Sequence, residues 1–136
     1  MINAITANII TSDLQKSYQF YGEKLGFPLL FSVNNEGKTE QKVDENTVFV
    51  EFGNDNFLLM IQDEKSYKED IGENNTFLGG TNLYIDVNNI NDYIDKCEKS
   101  NIEILMGPRE TFYGTKEILI KDNLGNNLIL AEKVDL

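Results

Sequence analysis

The sequence predicts an α+β fold built from two βαβββ modules, and three observations carry that prediction. Short segments of alternating apolar and polar residues outnumber helical ones. The order strand, helix, three strands occurs twice. The second copy also follows the first at a constant offset: Asp13-Leu14 matches Asn89-Ile90 and Thr6 matches Asn82, each 76 residues further on. An internal repeat of this length speaks to architecture before it speaks to function. The first module is placed at 1–63, a connector at 64–79 and the second module at 80–136, together forming one domain.

The elements follow in order. Asn3 to Thr11 reads as a strand, and Ser12 or Asp13 caps the helix after it. Leu14, Tyr18, Tyr21 and Leu25 recur at helical spacing and Gly26 supplies the stop. Phe27 to Val33 is a strand, followed by a polar loop. Thr47 to Phe52 and Phe57 to Gln62 form a hairpin around Gly53, Asn54 and Asp55. The connector is polar and shows no clear period. Thr81 to Val87 opens the second copy, and Asn88 or Asn89 caps a helix with Ile90, Tyr93, Ile94 and Cys97 on its apolar face. Ile102 to Met106 reads as a short strand, GPRETFYG as a loop and Thr115 to Lys121 as a strand. The segment DNLGNN turns the chain into a last strand, Leu128 to Glu132.

Composition excludes several functions. Twelve basic against twenty-three acidic side chains give a formal charge of −11, with no basic cluster to offset it. Such a surface repels phosphate backbones, so neither nucleic acid nor an anionic membrane is expected as a partner, while a cation would be attracted. No apolar run reaches the ~18 residues of a membrane-spanning helix. The N-terminal stretch lacks a basic region followed by an apolar one, so no secretory signal is expected. With the single Cys97, this fits a cytoplasmic protein. There is no histidine, which removes Ser-His-Asp and Cys-His catalysis and imidazole-based zinc sites.

Period-2 alternation sorts strand faces. Ile5, Ala7 and Ile9 share one side of the first strand, with Thr6 and Asn8 on the other. In the second copy Leu83, Ile85 and Val87 oppose Asn82, Tyr84 and Asp86, and on the last strand Leu128 and Leu130 oppose Asn127, Ile129 and Ala131. One face of each strand is apolar enough to pack on a helix. The opposite face is mixed, which suits the wall of a small-molecule pocket; the other reading is a half-exposed sheet.

The segment SDLQKSYQFYGEKLGF, through Asp13, Leu14, Phe20, Tyr21, Leu25, Gly26 and Phe27, and the segment YGTKEILIKDNLGNNLIL, through Asp122, Gly125 and Asn126, resemble motifs of the vicinal oxygen chelate superfamily. This superfamily comprises glyoxalase I, bleomycin-resistance proteins, fosfomycin-resistance proteins and extradiol dioxygenases. Asn123 and Leu124 depart from its Asp-Pro-Asp-Gly-Asn turn. The resemblance covers nearly the whole chain and implies paired modules whose sheets curve around one cavity. It also implies a homodimer. The family's metal ligands stand on the first and fourth strand of each module. Matched residue by residue, these positions carry Thr6, Met60, Asn82 and Ile129, with Leu59 or Leu58 in place of Met60 if the register slips. These side chains do not make a divalent-metal site.

The chain therefore looks closest to the metal-free, acidic, bleomycin-binding members. A small drug or metabolite, cationic ones included, is the expected partner, bound or sequestered in a cavity lined by Thr6, Asn8, Met60, Asn82, Tyr84, Arg109, Tyr113 and Ile129. Neither a cofactor, nor a metal, nor a catalytic residue is assigned. Tyr84, Phe112 and Tyr113 are the candidate stacking surfaces in a chain without Trp. Arg109 is either a carboxylate clamp or a solvated surface residue. Cys97 reads as a small buried hydrophobe. Asp86 reads as solvent-exposed, and nothing brings Glu51 and Glu117 together as an acid/base pair. The alternatives are a lyase, isomerase or dioxygenase of the same fold with a non-standard site, and a structural module with a vestigial pocket.

Overall fold

In the computed structural model the first strand, β1 (Ala7–Thr11), ends on a residue that organises the adjoining helix. The Thr11 hydroxyl accepts from the Asp13 N–H at 3.1 Å and shares a 2.8 Å hydrogen bond with the Ser17 hydroxyl. The Asp13 carboxylate then caps helix α1 (Leu14–Tyr18) by accepting from the Lys16 N–H at 3.1 Å. Asp13, not Ser12, is thus the cap. The structure describes residues 3–4, 6–71, 81–111 and 113–134, so Ile5 and Phe112 lie outside the described residues.

The single helix expected up to Gly26 changes character half-way. Gln19–Lys24 is π-helical, and the Leu25 N–H reaches the Phe20 carbonyl at 3.0 Å. The wider turn puts Phe20 and Leu25 on one side with Tyr21, all buried, and Ser17 takes a place in the buried stripe. Gly26, at φ 76°, ends the helix as its sequence position predicts. The helix packs on Phe52, which stacks on Tyr18 at 6.1 Å and meets Phe27 edge-on at 6.0 Å.

The chain divides into two units, Met1–Gly79 and Gly80–Leu136. In the first, β2 (Leu29–Asn34), β3 (Thr39–Glu40), β4 (Thr47–Gly53) and β5 (Leu58–Asp63) join β1 in the order β1-β5-β4-β2-β3. In the second, β6 (Asn82–Asp86), β7 (Met106–Glu110), β8 (Thr115–Lys121) and β9 (Asn127–Lys133) run β6-β9-β8-β7. The fold is mixed α+β with two mixed sheets: β1 lies parallel to β5 and β6 parallel to β9, and the other pairs are antiparallel. The duplication extends to the register. Asn8 stands opposite Met60 and Tyr84 opposite Ile129, and Asn8 and Tyr84 are again 76 residues apart. Met60 and Ile129 therefore hold equivalent places.

The polar loop expected after β2 contains the short strand β3, paired to β2, and two further elements differ from the sequence reading. The connector contains a helix, α2 (Glu64–Ile71), whose start is held by Asp63 Oδ2 accepting from the N–H groups of Lys65 and Ser66. Its mixed charges hide its period. The short strand expected at Ile102 to Met106 instead pairs at Met106–Glu110, so the start of the expected GPRETFYG loop is strand β7. Gly and Pro signal a loop, but an edge strand tolerates both. No helix among the described residues is long and apolar enough to cross a membrane.

In the second unit Ile118, Ile120, Leu128 and Leu130 are fully buried beside Ile90 and Cys97 of helix α3 (Ile90–Lys99). Burial pushes the Cys97 thiol up, which leaves it an inert apolar side chain. Asn89 caps α3, the counterpart of Asp13. The turn before β9 is held by Asp122. Its carboxylate accepts from the N–H groups of Leu124 (2.9 Å) and Asn126 (2.8 Å) and from the Asn126 amide (2.8 Å). Asn126 in turn accepts from the Thr81 N–H at 3.1 Å, tying the turn to the start of β6. We expect Asp122→Ala to destabilise the protein by about 2 kcal/mol, because it strands buried donors. Urea unfolding measures this, and a loss under about 0.5 kcal/mol would show that water replaces the carboxylate.

Candidate active surface around Glu117

Strand β8 alternates Ile118 and Ile120 toward α3 with Thr115, Glu117 and Leu119 toward the opposite, open face of its sheet. Glu117 is nonetheless fully buried. A buried carboxylate needs donors, and the three neighbouring segments supply them. From β6 the Tyr84 hydroxyl donates to Oε2 at 2.8 Å. From the turn before β8 the Tyr113 hydroxyl lies 3.0 and 3.1 Å from the two carboxylate oxygens. Thr115, two residues along the same strand, donates its hydroxyl at 2.9 Å. From β7 the Arg109 guanidinium donates to Oε1 at 3.4 Å.

A backbone irregularity places that arginine. The register of β7 on β8 slips between Met106 and Arg109, at the bulge that contains Gly107 and the cis Gly107–Pro108 peptide. Gly107 has φ 90°, and a Cβ there would stand 2.3 Å from the Glu117 carbonyl oxygen. Only glycine lets β7 approach this closely, and the bulge sets Arg109 directly opposite Glu117.

Electrostatics follow from the contacts. Burial by itself pushes the Glu117 carboxyl up. The hydrogen bonds from Tyr84, Thr115, Tyr113 and Arg109 outweigh it and hold the group below the usual carboxylate range. The same bond to Glu117 pushes the Tyr84 hydroxyl up. Glu117 is therefore ionised at neutral pH and its lone pairs are committed, so it is a poor proton acceptor. Its partners are open to solvent: Tyr84 is 57% exposed, Tyr113 52%, and the Arg109 side chain 49%. The cluster thus shows two phenol rings and a guanidinium to the outside, each tied at its inner end to one anion.

Of the sequence candidates, Tyr84, Arg109 and Tyr113 come together. Asn82 and Ile129 lie on the same face: Asn82 accepts from the Asn127 amide at 3.0 Å, and Ile129 stands opposite Tyr84. Thr6, Asn8 and Met60 belong to the first unit. Thr6 precedes β1, and Asn8, opposite Met60, donates to Gln62 at 3.1 Å. Arg109 is a strand residue, not a loop residue, and it pairs with a buried acid while its side chain stays half-exposed. Asp86 is exposed, as expected. Sequence reasoning weighs Glu117 only in the unsupported pair with Glu51 and misses its actual partners. The available signal is one acid in phase with Thr115 and Leu119 on the strand face opposite Ile118 and Ile120.

The donor types at the four family metal positions do not suit a divalent ion: hydroxyl, thioether, amide and alkyl. Among the described residues no three His, Cys, Asp or Glu side chains are grouped to hold one. The family model described as the Glyoxalase/Bleomycin resistance protein/Dioxygenase superfamily matches residues 2–130. The chain belongs to this superfamily. Solved structures agree on the fold. A glyoxalase/bleomycin resistance protein/dioxygenase from Nocardioides is 18% identical, with 99% of this chain and 86% of that one covered and a TM-score of 0.71. TnmS3, an antibiotic binding protein from Streptomyces sp. CB03234, is 17% identical with 97% of each covered and a TM-score of 0.68. A lactoylglutathione lyase from Agrobacterium tumefaciens is 16% identical, with 97% and 95% covered and a TM-score of 0.68. No curated protein sequence matches the chain.

Proposed function

We propose that this superfamily member is a binding protein that holds a small, flat molecule on the open face of its second sheet, without a metal and without transforming it. The observation that carries the reading is the saturated Glu117 carboxylate. An acid/base catalyst needs a free lone pair and a pKa near the working pH. Glu117 has neither, and its hydrogen bonds instead fix Tyr84, Tyr113 and Arg109 in place. Side chains ordered in advance lose less freedom when a ligand arrives. Two half-exposed phenol rings offer stacking area, and the guanidinium retains N–H groups for a carbonyl or carboxylate on the ligand.

The chain's charge of −11 draws cations at long range. At this face, however, Arg109 balances Glu117, so flatness rather than charge selects the ligand. The fold neighbours' names include both an antibiotic binding protein and a lyase, and at their identities they speak for the fold alone.

Titration calorimetry against a panel of flat aromatic drugs, bleomycin-like cations and apolar amines tests the reading. The expected result is saturable binding of planar members at micromolar concentration, on the order of −8 kcal/mol, with each recovered unchanged. Silence across the panel, or conversion of a bound member to product, would sink it. Stoichiometric zinc, nickel, iron or manganese in protein purified without chelators would favour an enzyme of the same fold instead.

A further inference from the structure

We infer that Thr111 is a positioning residue for the face around Glu117. Through the Thr115 hydroxyl it holds the Glu117 carboxylate, and with it the two tyrosines, in the arrangement that receives a ligand. Only the effect on binding rests on the function proposed above; the link from Thr111 to Glu117 stands on geometry. Thr111 follows β7, and Thr115 opens β8. The Thr111 N–H donates to the Thr115 carbonyl at 2.8 Å and closes the turn between the strands. Within the turn the Gly114 N–H donates to the Thr111 carbonyl at 3.2 Å, and Gly114 sits at φ 87°. Tyr113 stands in this turn, so the residues that close it set where its ring begins.

Backbone closure needs no particular side chain at this position, yet the Thr111 hydroxyl reaches across the turn to Thr115. It accepts from the Thr115 N–H at 3.1 Å, lies 2.7 Å from the Thr115 hydroxyl oxygen and 3.3 Å from the Thr115 carbonyl. The next bond fixes the direction of the shortest contact. Thr115 donates its hydroxyl to Glu117 Oε2 at 2.9 Å, and an ionised carboxylate can only accept. A hydroxyl has one proton to give, so at 2.7 Å Thr111 is the donor and Thr115 the acceptor. The bonds therefore point one way: from the Thr115 N–H to the Thr111 hydroxyl, to the Thr115 hydroxyl, to the carboxylate. In such a chain each bond polarises the next and strengthens it.

Loss of the Thr111 hydroxyl therefore acts at a distance. The Thr115 hydroxyl loses the proton it accepts and becomes a weaker donor, and the Thr115 N–H loses a side-chain acceptor. Thr115 is buried, so water has little access to take the vacated place. The oxygen that Thr115 holds, Oε2, is the one that also accepts from Tyr84 at 2.8 Å and lies 3.1 Å from the Tyr113 hydroxyl. A carboxylate less firmly held at Oε2 loosens both rings. Thr115 is also one of the donors that keep the Glu117 carboxyl below the usual carboxylate range. A residue that only closes the turn would affect stability and leave that titration where it is.

The test follows the Glu117 side-chain carboxyl by carbon NMR as pH is lowered, in the full chain, in Thr111→Val and in Thr111→Ser. Each protein is also titrated with coumarin, a flat uncharged probe. In the valine variant the Glu117 midpoint should lie higher than in the wild type, and serine, which restores the hydroxyl, should bring it back down. Coumarin should bind about fivefold more weakly to the valine variant, the equivalent of one lost hydrogen bond, and recover with serine. Three results would overturn the inference: a folded valine variant whose Glu117 midpoint stays at the wild-type value, a serine variant that does not restore it, or a raised midpoint with coumarin affinity unmoved. If the valine variant does not fold, hydroxyl-proton exchange in the wild type decides. The Thr111 proton should be protected along with that of Thr115, and exchange as fast as that of a solvent-exposed hydroxyl would reject the chain of bonds. Silence toward coumarin in the wild type itself counts against the proposed function, and the Glu117 titration then decides the role of Thr111 alone.

Discussion

Replacing Glu117 with alanine should destabilise the protein by about 3 kcal/mol, the low end for removing one partner of a buried ionic cluster. The magnitude depends on the groups left behind. Arg109, Tyr84 and Tyr113 are half exposed and can turn to water, but Thr115 is buried and loses its acceptor. The side chain also leaves a void under the open face. Glu117→Gln keeps the volume and lets the hydroxyls rotate to accept, so it should cost about half as much. The pH profile separates charge from shape. Because the folded Glu117 carboxyl is held below its unfolded value, its contribution is fully present above the ordinary carboxylate range. It disappears as pH falls through the folded value. Wild-type stability should therefore drop on acidification through and below the ordinary carboxylate range, and the glutamine variant should lack that part of the drop. Urea unfolding at a series of pH values reads both; parallel curves for the two proteins would show that Glu117 carries no linked proton.

The fold is legible in the sequence because its signals are local and doubled. Asp13 and Asn89 both cap helices in the structure, and the offset that relates them also relates Asn8 to Tyr84 across their parallel partners. Asp122, Gly125 and Asn126 each do something physical in their turn. The first is a carboxylate acceptor, the second adopts φ 84°, and the third bridges to Thr81. Asn123 and Leu124 can depart from the family turn without loss of those bonds. The features that escape the sequence need partners not adjacent in the chain. Helix α2 depends on its Asp63 cap and on Ser66 meeting Gln62, since its own charges show no apolar stripe.

The candidate site divides along the same line. Tyr84 stands out in the sequence on a mixed strand face beside Asn82, and Tyr113 in the turn-rich segment GPRETFYG. Arg109 stands out as the one arginine in a segment rich in turn residues. Glu117 comes up in the sequence only as half of an unsupported pair with Glu51, because nothing in TKEILIK shows that it is buried. Its burial is created by β6, β7 and the turn at Tyr113 together, and by a glycine bulge that only the pairing of β7 reveals. The metal positions come from resemblance. Their donor types, hydroxyl, thioether, amide and alkyl, do not suit a divalent ion.

The double variant Tyr84→Ala/Tyr113→Ala should lose about 100-fold in affinity for the flat ligands, at about 1.4 kcal/mol for each stacked ring. Its stability should change little by comparison, since both rings are more than half exposed and water can reach Glu117 in their place. Tyr84→Phe/Tyr113→Phe distinguishes ring from hydroxyl. It keeps the stacking area but cuts the bonds at 2.8 and 3.0 Å that orient it. If orientation by Glu117 matters, this pair should bind several-fold more weakly than wild type, yet tighter than the alanine pair. The phenylalanine pair should also release the Glu117 carboxyl upward, because two donors that hold it down are gone. Acid loss of stability would then begin at higher pH in the variant than in the wild type. Calorimetry and pH-dependent unfolding of the same two proteins therefore report on one cause. Affinity unchanged in the alanine pair would reject the rings as the binding surface. Affinity equal in the phenylalanine pair and the wild type would keep the rings but reject Glu117 as the residue that positions them.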